Sequence, residues 1–362
     1  MKRNLKIAAG FLLSALLLAW LFHGTQWKQV GAELRRVDLG WLAASQAFLW
    51  LLIFTRIERW KPIVRAGGPA TYRTLFSATQ IGFLANWILP GRAGEVVRAG
   101  LLTRFGGFPL TQSLALVALD RMTDLVGLVF VLLVALTAYH PVQDIVLPAE
   151  LFTRPIPATL VRSGAIATSV VLFALAGMLA LLFVNQRLVS RIAGAVTGAV
   201  SHKLQQRVHR MLGHFAAGLT VFGSAPKMAY SILLSLGTWL GYVAAMACIF
   251  RAFSIECPWY TSFLVQAVLS VAVSLPAAPG FLGQFHAGVV ASLLMAAPAV
   301  DISVAKAAAI LMHISFLVPV AATGSYALIR EHMALFEIGQ AELATAKLSD
   351  DSETPAEGSG PG

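Results

Sequence analysis

Charged residues are scarce in this chain of 362 residues, since Asp, Glu, Lys and Arg together make up 12% of it. A soluble globular domain carries about 25%. Apolar residues make up 57%, and several apolar stretches reach the ~20 residues that cross the ~30 Å hydrocarbon core of a bilayer. The composition excludes an ordinary soluble domain and predicts an all-α, polytopic membrane protein.

Cysteine is almost absent as well. Cys248 and Cys257 form neither a CxxC pair nor any metal-ligand spacing, so a disulfide framework is not expected. The histidines include no HExxH pair, and the sequence predicts no cofactor, no metal and no catalytic residue. The net charge of +10 is interpreted as the Lys and Arg excess of cytoplasmic loops. No nucleic-acid partner is expected.

The apolar stretches define the predicted spans. About six of them are expected to cross the membrane fully, at 5–23, 39–55, 110–138, 160–184, 228–250 and 304–329. Two more, 74–103 and 260–297, are interrupted by Pro and Gly near their middles. The tail 339–362 is polar and rich in Gly, Pro, Ser and acids, so it is predicted to be disordered. Residues 1–338 are then the transmembrane domain.

Basic residues orient the chain. With both termini in the cytoplasm, most Lys and Arg lie on the cytoplasmic side, including Arg56 and Arg59 after the second span and the basic connection 185–227. Within it, the segment 185–222 alternates apolar and basic residues at helical spacing, and it either places its basic face on the anionic leaflet or forms a solvated pair of connecting helices. The bias requires 74–103 and 260–297 each to return to the face they entered, and therefore predicts two re-entrant hairpins. Seven or eight single spans are the alternative. The expected location is the bacterial cell (inner) membrane.

The two interrupted stretches share a pattern. PGRAGE (90–95) and PGFLGQ (279–284) both read Pro-Gly-x-x-Gly-Glu/Gln. Since the predicted hairpins enter from opposite faces, the pattern indicates an inverted repeat, with a first half at about 39–138 and a second at about 228–329. Paired, interrupted segments of this kind point to a transporter's binding site.

Backbone physics suggests what the breaks do. Pro ends a helix and Gly permits the turn, and a broken backbone exposed to lipid would leave costly unpaired groups. Half-helices starting near Gly91 and Gly280 would direct N–H groups and partial positive charge at one central point, where an anion binds. We expect Arg92 to hold a lipid phosphate, Glu95 to orient it, and Arg98 to lie nearer the surface. A purely structural pair of hairpins is the alternative.

A second polar cluster lies in VALDRMTDLVGLV. Asp120 falls about ten residues into its span, near the bilayer centre, where a charge is costly and therefore suggests function. Asp120 and Asp124 share a helix face, and Arg121 reaches Asp124 one turn away. An internal ion-pair network that locks the helix to the first hairpin is the other interpretation. The residues predicted to bind substrate are Gly91, Arg92, Gly94, Glu95, Arg98, Asp120, Arg121, Asp124, Gly280, Gly283 and Gln284.

At LPGRAGEVVRAGLL, ALDRMTDLVGLV and SLPAAPGFLGQFHAG, the chain resembles the transmembrane domain of the lysylphosphatidylglycerol synthase family, which includes flippase-like and hopanoid-cluster homologues. The resemblance covers roughly residues 5–330. The third motif departs from the family pattern, because Ala278 and Phe281 stand where Ser and Gly are usual and His286 replaces an acid. In two-part members a soluble aminoacyl-transferase domain follows. Only a short tail follows Arg330, so lysyl transfer is not expected.

The resemblance implies the lipid-translocating half alone. The expected function is a flippase-like lipid translocase, not an enzyme, for a phospholipid, an isoprenoid-linked lipid or a hopanoid-type lipid. The alternatives are an integral-membrane lipid-modifying enzyme and a non-transporting scaffold partner of a lipid-modifying complex. The expected partners are the lipid and the bilayer. Small-residue stretches also permit a homodimer, and a lipid-modifying enzyme is the other candidate partner.

Overall fold

A computed structural model describes residues 2–89, 93–141, 144–148, 154–164, 166–168, 170, 174, 225–273 and 279–334, with side chains from residue 11 onward. This part of the chain is helical, as the composition predicts, and its only β pairing is an isolated bridge between Ile145 and Ile156. Residues 158–164 are also helical. The main helices are α1 (Lys2–Phe22), α2 (Trp27–Arg35), α3 (Leu39–Gly67), α4 (Tyr72–Ile88), α5 (Gly94–Gly106), α6 (Leu110–Ala138), α7 (Ala225–Ala252), α8 (Thr261–Ala272), α9 (Gln284–Ala296) and α10 (Ile302–Arg330).

Side-chain caps begin several of these helices. Asp38 accepts hydrogen bonds from the backbone N–H groups of Gly40 and Trp41 at the start of α3. Thr71 caps α4 and Asp301 caps α10 in the same way. Each cap satisfies N–H groups that have no partner inside the helix, so the sequence itself fixes where these helices start.

Long apolar helices cover several predicted spans. Within the described residues, five segments are long and apolar enough to cross a membrane: Leu39–Gly67, Leu110–Ala138, Pro226–Ala252, Pro279–Ala296 and Ile302–Arg330. The predicted stretch 5–23 is also helical. Most of the predicted span 160–184, the connection 185–227 and the tail 339–362 lie outside the described residues.

The helix of the second predicted span, 39–55, extends beyond residue 55. Helix α3 continues for another three turns to Gly67, through Pro62. The prediction stopped where Arg56 and Arg59 interrupt the apolar run, because unpaired charges are expensive in hydrocarbon. Arg59 is 1% exposed and is paired inside the protein, so its charge does not end the helix.

The first interrupted stretch folds as a helical hairpin of α4 and α5. The helices run antiparallel, since Thr74 faces Phe105 and Gly82 faces Arg98. Their backbones approach closely at the tip, where a Cβ on Gly94 would overlap the carbonyl oxygen of Gly82. Glycine is therefore required at position 94 for packing.

The second interrupted stretch folds as a hairpin of α8 and α9. Tyr139 contacts Tyr260 at the start of this hairpin and donates a hydrogen bond to the carbonyl of Met295 at its end, so the two arms are antiparallel. A 3-10 turn, Pro279–Phe281, precedes α9. The left-handed conformation of Gly280 (φ 73°) and Gly283 (φ 84°) makes the bend possible.

The helix neighbours within α3–α6 correspond to those within α7–α10. Helices α3 and α7 pack along each other. Helix α6 packs against α5 of its own half and α8 of the other half, and α10 packs against α9 and α4. Exchanging α3–α6 with α7–α10 therefore reproduces the same set of neighbours, and both hairpins lie between the two long helices α6 and α10.

Candidate functional site

A cavity of about 450 Å³ lies between the two hairpins. The first hairpin contributes Asn86, Trp87 and Glu95 to its walls, and the second contributes Phe281 and Phe285. The long helices α3, α6, α7 and α10 complete the lining. Its charged residues are Arg56, Glu95, Arg121 and Asp124, and most of its other residues are apolar. The cavity therefore presents charges and an apolar surface to the same ligand.

The predicted cluster on α6 forms a buried ion-pair network. Asp120 is fully buried and accepts hydrogen bonds from Arg59 Nε (3.1 Å) and Arg98 Nη1 (2.5 Å). Asp124 is paired with Arg59 and with Arg121 Nη1 (3.3 Å), and it accepts a hydrogen bond from Trp239 Nε1 (3.1 Å). The Arg121–Asp124 pair has the one-turn spacing that the sequence predicts.

Arg59 is the main residue of this network that the sequence analysis missed. It was assigned to a cytoplasmic connection, whereas it lies inside α3 and joins both carboxylates of α6. One feature of the sequence could have revealed it: Arg56 and Arg59 are three residues apart, directly after an apolar run. A helix whose polar stripe faces another helix gives that pattern, but the partner is visible only in the fold.

Arg98 was expected nearer the surface. In the structure its side chain is buried inside the protein and is 2% exposed. Its guanidinium carbon lies 3.5 Å from the centroid of the Trp60 ring while its donor reaches Asp120. Trp60 of α3 covers the guanidinium of Arg98. Arg98 and Asp120 are not among the described walls of the cavity.

The structure describes only some of the residues predicted to bind substrate at the tip of the first hairpin. Gly91 and Arg92 lie outside the described residues. The N–H of Gly94 donates to Asn86 Oδ1 (2.8 Å), which caps α5 from the opposite arm. Glu95 lines the cavity, and its carboxylate lies 3.6 Å from Arg121 Nη1.

The predicted residues of the second hairpin serve its own packing. The carbonyl oxygen of Gly280 accepts a hydrogen bond from His313 Nε2 (2.7 Å). A Cβ on Gly283 would lie 2.6 Å from the carbonyl oxygen of Ser14, so α1 packs against this tip. Gln284 is 3% exposed at the start of α9. The residues of this tip that line the cavity are instead Phe281 and Phe285.

The tips of the two hairpins meet. The Trp87 ring at the first tip lies 5.6 Å from the Phe281 ring and 5.2 Å from the His313 ring, measured between centroids. The centroids of the His286 and His313 rings lie 4.7 Å apart, with the rings tilted by 48°. Aromatic rings at such separations attract each other, so the second half closes the cavity with aromatic side chains.

The charges around the cavity do not cancel. In the part of the cluster that the structure describes, there are four guanidinium groups and three carboxylates: Arg56, Arg59, Arg98 and Arg121 against Glu95, Asp120 and Asp124. One positive charge remains. An anionic ligand would neutralise it.

Comparison with known proteins identifies the family of this chain. The model of the family "Lysylphosphatidylglycerol synthase TM region" matches residues 7–324. The chain belongs to this family. Its long apolar helices and this membership identify it as a multi-pass membrane protein, and the family suspected from the three motifs is confirmed.

A curated relative in this comparison is the glycosyltransferase AglD of Haloferax volcanii. It is 28% identical over 329 residues, which correspond to 86% of this chain and 52% of AglD. This member of the lysylphosphatidylglycerol synthase transmembrane family therefore spans about half the length of that relative. The name glycosyltransferase describes the full-length AglD, of which this chain matches 52%.

Proposed function

We propose that this chain is a lipid translocase of the bacterial inner membrane that moves a phosphate- or isoprenoid-bearing lipid between the leaflets. The observation that carries the proposal is the cavity of about 450 Å³ between the hairpins, whose walls combine Arg56, Glu95, Arg121 and Asp124 with apolar side chains. Such a lining suits an amphipathic ligand, because polar groups orient the headgroup and apolar groups bind its chains.

The proposed topology has two re-entrant hairpins that enter from opposite faces, with both termini in the cytoplasm. Short arms support it: α8 has 12 residues and α9 has 13, which at 1.5 Å per residue gives ~20 Å, less than the ~30 Å hydrocarbon core. Counted with its 3-10 turn, Pro279–Ala296 reaches 18 residues, so a single span is the competing topology. The contact between Trp87 and Phe281 also supports the proposal, because broken backbone at membrane depth has to be covered by protein.

An inverted repeat is the second part of the proposed architecture. Its support is that α6 packs against α5 and α8 while α10 packs against α9 and α4. In transporters built this way, the substrate lies between the repeats and one half moves against the other. The cavity shared by both hairpins is the corresponding position.

The main alternative is an enzyme that modifies a lipid, and the name of the relative AglD favours it. A non-transporting scaffold that supports a partner enzyme is the third possibility. Reconstitution in vesicles with a headgroup-labelled lipid separates them. A translocase exposes the label on the other leaflet without changing the lipid's mass, an enzyme changes the mass, and a scaffold does neither.

Arg92 provides the sharpest test of the proposed site. Its guanidinium can bind two phosphate oxygens side by side, which an ammonium cannot do. We expect Arg92→Lys to reduce translocation about ten-fold or more without lowering the melting temperature, and Glu95→Gln to reduce it as well. Arg104→Lys is the matched control, because Arg104 is exposed in the last turn of α5.

The outcome distinguishes a binding role from a structural one. Wild-type translocation by Arg92→Lys would remove the phosphate assignment. Melting temperatures that fall in parallel with translocation would favour hairpins with a purely structural role. Both quantities therefore have to be measured on the same preparations.

A further inference from the structure

Arg56 differs from the other arginines around the cavity. It lines the cavity from α3, and its guanidinium carbon lies 4.1 Å from the centroid of the Phe83 ring and 5.0 Å from that of the Tyr242 ring. Aromatic faces attract cations, so the two rings hold the guanidinium in place. From sequence, Arg56 was predicted to lie in a cytoplasmic connection.

The polar partners of Arg56 are also different. Arg59, Arg98 and Arg121 each lie within ion-pairing distance of carboxylates. Among the residues that the structure describes, Arg56 has no carboxylate within 4.0 Å and no hydrogen-bond acceptor. A guanidinium carries five N–H donors in its plane. Contacts on its faces leave those donors available to a ligand in the cavity.

The carboxylates nearest to this position are already satisfied. Asp124 is bonded by Arg59, Arg121 and Trp239, and Glu95 is paired with Arg121. They offset the positive charge of the arginines that they contact. The excess positive charge of the cluster therefore resides at Arg56, on the wall of the cavity.

We infer that Arg56 is a second anion-binding residue, beside the Arg92 proposed above, and that it binds the phosphate of an amphipathic ligand from the described wall of the cavity. The apolar part of that ligand then lies against Leu52, Phe285 and Phe316, which line the same cavity. That the ligand is a lipid rests on the proposed function. The assignment of Arg56 rests on its ring contacts, its lack of a carboxylate partner and its place in the wall.

Equilibrium binding to the purified full chain tests the inference. The probes are dihexanoyl phosphatidylglycerol, which has one phosphate, dihexanoylglycerol, which has the same chains and no phosphate, and inorganic phosphate. Tryptophan fluorescence reports binding because Trp87 and Trp239 line the cavity. The variants are Arg56→Gln and Arg56→Lys. Arg251→Gln is the matched control, since Arg251 also lies over an aromatic ring, that of Trp41, but is not among the described cavity walls.

We expect the wild type to bind the phosphate-bearing lipid at least ten-fold more tightly than dihexanoylglycerol. Arg56→Gln should weaken that binding about ten- to a hundred-fold, the range of a charge-assisted hydrogen bond, and leave the affinity for dihexanoylglycerol unchanged. Arg56→Lys should bind with intermediate affinity, and Arg251→Gln like the wild type. Because the substitution breaks no ion pair, the melting temperature should stay within a few degrees of wild type. If Arg56→Gln fails to fold, the same binding measurements on Arg56→Lys, which keeps the charge, test the inference.

Full phosphate preference in a folded Arg56→Gln or Arg56→Lys protein overturns the inference. Inorganic phosphate that binds as tightly as the lipid assigns the residue to a free anion and overturns the lipid part. A wild type that binds the lipid phosphate through Arg56 but does not translocate lipid in vesicles refutes the proposed function and leaves the assignment of Arg56 intact.

Discussion

The two halves of the molecule share their helix packing and differ in their polar chemistry. In the first half, α3, α5 and α6 are joined by Asp120 and Asp124 with three arginines. In the second half, His286, His313 and phenylalanine rings occupy the space around the hairpin tip. One architecture therefore accommodates either a charged or an aromatic interior.

This difference assigns different tasks to the halves. A buried ion-pair network costs desolvation and is strongly destabilised when one partner is removed. It makes the first half intolerant of substitution and leaves one positive charge on the cavity wall. The aromatic half supplies apolar surface and a hydrogen bond from His313 to the tip. The predictions below test whether the network or the tip packing dominates the stability.

The largest expected effect is on the buried carboxylate. Asp120→Ala leaves Arg59 and Arg98 without the acceptor that they share, and we expect it to destabilise the protein by about 3–5 kcal/mol. Chemical unfolding in detergent measures the loss. His313→Phe is the matched substitution in the second half, and loss of its single hydrogen bond should cost about 1 kcal/mol. Equal losses for the two variants would contradict the contrast between the halves.

A smaller effect is expected from the hairpin glycines. In Gly94→Ala the new Cβ meets the backbone carbonyl of Gly82, which cannot move aside, whereas in Gly288→Ala it lies 3.1 Å from the flexible side chain of Leu269. Overpacking costs about 1–3 kcal/mol, so Gly94→Ala should be destabilised by ~2 kcal/mol. Gly288→Ala should stay within ~1 kcal/mol of wild type, because alanine also favours the helix. Melting temperatures of both variants in the same detergent test this expectation. A larger loss for Gly288→Ala than for Gly94→Ala would show that the second hairpin is packed more tightly.

The smallest expected effect lies outside the core, where Glu331 connects the end of α10 to the base of the first hairpin. It accepts hydrogen bonds from Arg73, Ser77 and Arg330, and these donors, Arg73 first, lower its pKa to about 2. We expect Glu331→Gln to lose about 1 kcal/mol at neutral pH, a small value because Arg73 is 62% exposed and solvent screens the pair.

The pH dependence of this loss has a definite sign. Since the pKa of Glu331 is lower in the folded state, its contribution is present above the ordinary glutamate pKa of ~4.3 and is lost as the pH falls toward about 2. The difference in melting temperature between wild type and Glu331→Gln should be constant from pH 8 to 5 and shrink below it. A difference that is as large at pH 3 as at pH 7 would show that the charge of the glutamate does not contribute.

Much of the candidate site was visible in the sequence because its residues are local. The spacing of Asp120, Arg121 and Asp124 predicts one helical face, and the structure confirms the pairing of Arg121 with Asp124. The repeated Pro-Gly-x-x-Gly pattern predicts two interrupted helices, and both stretches fold as helical hairpins. The roles of Arg56 and Arg59 were missed, since charge next to an apolar run is typical of a cytoplasmic loop.

The sequence by itself determined the membrane class, the family and the position of the two helix breaks, because composition and local backbone preferences act over a few residues. The tertiary structure decided which charges are neutralised. Arg59 and Asp120 are 61 residues apart in the chain, and Arg59 Nε lies 3.1 Å from Asp120 Oδ1 in the fold. It also decided that Arg98 is buried while Arg56 faces the cavity. Helical periodicity orders residues around one axis, and only packing against other helices determines which face of that axis meets a carboxylate, an aromatic ring or a ligand.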